Sequence, residues 1–134
     1  MGFDLHGLAA TSKNGSYFRN NVWWWRPLWN FTCKHCNSIL TEKKRDSGHF
    51  NNGIKIGPKI AIKIANKLQE TIDNGLAAQE EKKNKKGIKE AKKHNKKLKS
   101  SDPKYDWGVY YPFTVENVKE FIVFCHESGG FIIC

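Results

Sequence analysis

The sequence predicts an α+β fold, and three observations carry that expectation. An amphipathic helix with a four-residue apolar repeat opens at Pro58, and a second apolar helix follows Thr114. Short aromatic and β-branched runs at the two ends of the chain read as strands. Helices and strands do not alternate as they would around a parallel sheet, so the α+β class is preferred to α/β. The 134 residues make one domain, 1–134, long enough to bury a single core with little surplus.

Residues 1–56 are mixed, aromatic and rich in turn formers, including Gly7, Gly15, Asn20, Asn21, Pro27, Gly48, Asn51, Asn52 and Gly53. The first clear helix starts after Gly57, with Pro58 at the opening position where its missing N–H costs nothing. Ile60, Ile64, Leu68 and Ile72 recur every four residues, and Ala61 and Ala65 widen the stripe into one buried face. Asn74-Gly75 then stops the helix, because glycine accepts the left-handed conformation. Residues 76–100 carry too little apolar surface to be held by packing and are expected to form a solvated helix or a flexible excursion. Residues 105–113 read as a short strand ended by Pro112. Thr114 caps a helix with Val118, Phe121, Ile122 and Cys125 on one face, and Ser128-Gly129-Gly130 ends it. The closing FIIC is apolar enough for a buried strand, expected to pair with residues 3–5.

Lysine and arginine number 23 against 13 aspartates and glutamates, a formal charge of +10. Such an imbalance selects anionic partners and says little about fold. No apolar run approaches the ~18 residues that span a bilayer, so no membrane partner is expected. The opening MGFDLHGLAA lacks the basic start and apolar centre of a secretory signal. The expected location is the cytoplasm, where Cys33, Cys36, Cys125 and Cys134 stay reduced.

The densest motif is NNVWWWRPLWNF, residues 20–31, with Trp23, Trp24, Trp25, Arg26 and Trp29 just after Arg19. Large indoles are core material in a small domain. Indoles lining a cleft would instead stack a nucleobase, while Arg19, Arg26, Asn20 and Asn21 reach phosphate and sugar. His49, Asn51 and Asn52, in the turn HFNNG, could add donors to such a pocket.

Cys33-x2-Cys36 followed after twelve residues by His49 has three ligands at zinc-finger spacing. The fourth is missing locally, and Cys125, His126 or Cys134 would have to complete a structural zinc site from the far end of the chain. The competing reading makes these thiols small buried hydrophobes. A knuckle followed by Gly-His also looks like the start of an HNH-type metal nuclease, but no later metal-binding residue is identifiable and no complete catalytic site is present. Between residues 82 and 99 stand ten lysines. They serve either as a solubilising face or as phosphate contacts to nucleic acid through counterion release.

The strings MGFDLHG, YFRNNVWWWRPLWNF, GHFNNG and PFTVENVKEF, with the ending SGGFIIC, together resemble a family of short proteins from tailed phages and bacteria. The likeness covers the first half and last quarter of the chain, and the lysine-rich middle departs from it. The resemblance implies a viral origin and thus the cytoplasm of an infected bacterial host, and it brings no catalytic residue. By analogy with phage proteins of this size that trap nucleotide immune signals, it implies an anti-defence role. The leading expectation is therefore a non-catalytic protein that captures a small phosphorylated nucleotide, with a homo-oligomer as the expected assembly. The alternatives are a zinc-stabilised nucleic-acid-binding module and a protein–protein inhibitor that presents its Trp and Arg anchors to a host enzyme.

Overall fold

Side chains along a strand alternate between faces, and the first strand, β1 (Gly2–Gly7), buries Phe3 and Leu5 while His6 is exposed. In the computed structural model, which describes residues 2–105 and 111–134, β1 is flanked on both sides. It pairs with β2 (Tyr17–Asn21), where Leu5 faces Phe18, and with β4 (Phe131–Ile133), where Leu5 faces Ile133. The end-to-end strand pairing read from the sequence is thus present. β4 also pairs with β3 (Ile54–Ile56), giving a four-stranded sheet of order β2-β1-β4-β3 with every pairing antiparallel. Phe3, Leu5, Phe18, Ile56, Phe131 and Ile133 form its buried face. His6, Tyr17, Arg19 and Lys55 lie exposed on the other.

Five α-helices complete the α+β fold among the described residues. The longest departure from the sequence reading is α1 (Val22–His35), which runs straight through the segment read as mixed and turn-rich. Asn21 caps it, its Oδ1 accepting the N–H groups of Trp23 and Trp24 at 3.1 Å each. Pro27 sits inside and cannot donate to the carbonyl of Trp23, whose residue is exposed, so water can satisfy that group. The packing of Trp25, Leu28, Trp29 and Thr32 on one side outweighs the proline, since helices are stabilised mainly by their buried face. A short helix, α2 (Glu42–Ser47), follows under a Thr41 cap.

α3 (Pro58–Asp73) has the expected start, and its inward stripe is Ala61, Ile64, Ala65, Leu68 and Thr71. Ile60 and Ile72 flank it, half-buried. Gly75, at φ 81°, turns the chain directly into α4 (Leu76–Asn95), so the lysine-rich excursion is a continuous helix through residue 95. α5 (Val115–Glu127) buries Val118, Phe121, Ile122 and Cys125 as read, and Phe124 besides. It packs chiefly on α3. Its exit needs glycine: Gly130 has φ 90°, and a Cβ there would lie 2.8 Å from the Ile56 carbonyl oxygen. Of the strand expected over 105–113, residues 106–110 lie outside the described ones, and residues 111–114 approach α5 without regular structure. No helix among the described residues is long and apolar enough to cross a membrane.

Candidate functional site

Successive helical residues are turned by about 100°, so three consecutive indoles cannot share one environment. Trp25 and Trp29 are fully buried, with ring centroids 5.4 Å apart and planes 15° from parallel. Both indole N–H groups are engaged: Trp25 donates to the Gly48 carbonyl at 2.8 Å, and Trp29 to that of Arg45 at 2.9 Å. The expectation that these two line a ligand cleft is corrected here. They are the centre of the core, and they bind α2 and its following turn to α1.

The asparagines also have structural employment. The Asn20 and Asn117 amides bond reciprocally, at 3.1 and 2.8 Å, tying β2 to α5, and Asn20 donates further to the Arg19 carbonyl. Asn21 is the helix cap described above. Asn51 lies 3.5 Å from the Gly2 carbonyl, at the limit of a hydrogen bond, and Asn52 is exposed. A cleft of about 390 Å³ does gather Arg19, Asn20, Asn21 and Trp24, but Glu116 and Glu120 share its lining. Arg26 and His49 stand apart from that cleft. His49 is half-buried near Arg26, and burial first, then that guanidinium, lowers its pKa.

The thiols divide by position. Cys36 and Cys125 are buried in the core, Cys33 is half-buried facing the Arg45 carbonyl at 4.0 Å, and Cys134 is exposed at the end of the sheet. Desolvation pushes the thiols of Cys33 and Cys36 up to about 12, and that of Cys125 upward as well. These are not activated nucleophiles. Cys36, the C-cap of α1, interacts electrostatically with both Cys33 and Cys125. Among the described residues no three His, Cys, Asp or Glu side chains form a group that could hold a metal ion.

The remaining features lie on α4 and on the segment it holds. Along α4 and the residues after it, Lys86, Lys89, Lys92, Lys93 and Lys96 border a surface concavity of about 670 Å³, with Glu90 the one acid among its lining. The Lys85–Glu81 contact at 3.9 Å is the one ion pair made by α4 lysines among the described residues. Ala77 and Ala91 are the apolar footholds of this helix. Polar ones replace the missing hydrophobics. The Asn84 amide donates to the Tyr111 carbonyl at 2.8 Å and accepts from the Phe113 N–H at 3.0 Å, while Glu81 accepts from the Val115 N–H at 3.2 Å.

That grip carries an aromatic pair with it. Tyr111 lies against Trp23, ring centroids 5.0 Å apart and planes 30° from parallel, and Trp23 remains 50% exposed. Sequence reasoning named Trp23 but missed Tyr111 and Asn84. The signal for Asn84 was its interruption of the run KKNKK by a weaker helix former. No family model, no curated protein and no solved structure matches this chain.

Proposed function

We propose that the protein binds a single-stranded nucleic acid, with the lysines of α4 neutralising phosphates and Trp23 offering a face for a base. The observation that carries this reading is the juxtaposition made by Asn84. One side chain joins the lysine helix to the Trp23–Tyr111 pair. A row of lysines supplies charge without sequence readout, since each ammonium is a point charge. An exposed indole supplies stacking, which every base can use. A folded position for α4 keeps the charges together on one side of the molecule.

The test is fluorescence anisotropy with a labelled oligonucleotide over a range of salt. Affinity should fall with salt, with log–log slope of about −0.7 for each phosphate neutralised on a single strand. Reversing Lys86, Lys89 and Lys93 to Glu should flatten that slope. Trp23→Ala should weaken single-strand binding by the loss of one stack, about 1–3 kcal/mol, and leave the slope unchanged. Equal binding by wild type and the triple variant would refute the reading.

A second reading follows from the cleft that contains Arg19, Asn20, Asn21 and Trp24. There a small phosphorylated nucleotide would be captured, and sequestering a host signalling nucleotide would be its use. The carboxylates of Glu116 and Glu120 work against it by placing negative charge where a phosphate would sit. Thermal stabilisation by mononucleotides and cyclic nucleotides, lost in Arg19→Ala but kept in the lysine triple variant, would favour the cleft over α4.

A further inference from the structure

β2 lies at one edge of the sheet, and the hydrogen-bond register tells which of its groups are unused. Asp4 exchanges both backbone bonds with Cys134, at 3.0 and 2.8 Å, so Asp4 faces β4 and its neighbours Phe3 and Leu5 face β2. Their partners are Asn20 and Phe18. Tyr17 and Arg19 between them therefore turn their backbone groups away from the sheet. The Arg19 carbonyl accepts from the Asn20 side chain at 3.0 Å. The Tyr17 N–H, the Tyr17 carbonyl and the Arg19 N–H have no protein partner among the described residues. Natural edges are commonly covered or interrupted, because such a row templates pairing with another strand.

Beside this edge run two concavities, about 530 Å³ and about 390 Å³, and Glu120 borders both. Lys13 lies at the end near Tyr17, and Glu116 at the end near Asn21. Lys13 thus stands toward one end of the channel and Glu116 toward the other, with Arg19 and Glu120 between them, a layout that complements its own reverse. We propose that β2 pairs antiparallel with β2 of a second copy, centred on Phe18, so that the two sheets join into one.

In that register Tyr17 stands opposite the second copy's Arg19, and the four outward N–H groups of the pair find carbonyls across the axis. A guanidinium beside a 46% exposed tyrosine ring forms a favourable cross-strand pair. Reversal of the strand carries the second copy's Lys13 toward Glu116, twice by symmetry. Glu120 lies near the axis, where two like charges oppose the association. This self-complementarity favours a second copy over an unrelated peptide.

Sedimentation velocity over a hundredfold range of concentration tests the pairing, together with amide exchange at Tyr17 and Arg19. The expected result is a concentration-dependent dimer in which those two amides exchange more slowly than in the monomer. Lys13→Glu should weaken the dimer by about tenfold or more, Lys13→Glu with Glu116→Lys should restore it, and Glu120→Gln should tighten it. A chain that stays monomeric at every concentration overturns the proposal. So does a dimer whose Tyr17 and Arg19 amides exchange at the monomer rate, or one indifferent to Lys13→Glu. Circular dichroism of each variant separates loss of pairing from loss of fold.

Discussion

Gly48 carries more of the core than its size suggests. Its carbonyl receives the Trp25 indole at 2.8 Å, and a Cβ on it would lie 2.1 Å from the Trp29 ring. The ring is fully buried and cannot retreat into solvent. Gly48→Ala is therefore expected to destabilise the fold by about 1–3 kcal/mol, the usual cost of overpacking, read as a fall in the urea midpoint at unchanged m-value. Two histidines respond to pH for a related reason. Burial is the first cause that lowers the pKa of His35 and of His49, reinforced by Lys34 and Lys67 for the former and Arg26 for the latter. A folded pKa below the unfolded one means that the unfolded chain binds more protons in the interval between them. Stability should therefore rise with pH through the window just below about 6.5 and level off above it. The double variant His35→Gln/His49→Gln should flatten that rise in a series of thermal melts.

α4 shows how a helix without an apolar stripe is kept on a protein. Its buried apolar contacts are two alanines, and Glu81 and Asn84 supply hydrogen bonds to the backbone that enters α5. Asn84→Ala sets two effects against each other. Alanine improves helix propensity by at most about 0.7 kcal/mol. Leaving the Tyr111 carbonyl and Phe113 N–H without their partner costs about 1–3 kcal/mol. The second effect is the larger, so the variant should be less stable to urea. Its Trp23 should also become more accessible to a neutral fluorescence quencher, because Tyr111 loses its tether. A variant as stable as wild type, with unchanged quenching, would mean that α4 is held by other contacts. α1 reverses the balance of α4: local propensity is poor at Pro27, but packing of Trp25, Leu28 and Trp29 holds the helix.

Charge is distributed over the molecule as unevenly as hydrophobicity. Of the excess of +10, almost all comes from the ten lysines of residues 82–99, and α4 collects seven of them. Repulsion among them disfavours the compact state, and a bound polyanion relieves it. A single-stranded oligonucleotide should accordingly raise the melting temperature, and the gain should vanish in high salt as screening shortens the range of the lysine charges. A rise that persists unchanged in high salt would place the ligand outside the lysine surface. If β2 pairs with a second copy, each dimer presents two lysine helices, and a long strand would gain from engaging both.

Much of this architecture was legible in the residue order because its signals are local. Pro58 with the apolar repeat after it, the Thr114 cap, and Gly129-Gly130 before FIIC each act within a few residues, and each stands where it was read. The partnership of the two chain ends was legible too, because both are short apolar strands without another evident partner. The tryptophan segment was not. WWW followed by Arg-Pro suits neither a strand nor an ordinary helix, and only contacts with Gly48, Arg45 and Phe121 select which indoles go inside. The candidate site was equally hidden. Asn20 meets Asn117 and Asn84 meets Tyr111 across 97 and 27 residues of chain, and no spacing rule encodes either meeting. Composition settled that this protein carries a large positive charge; tertiary packing decided where that charge stands and which side chain ties its helix to the Trp23–Tyr111 pair, because burial is a property of the assembled core.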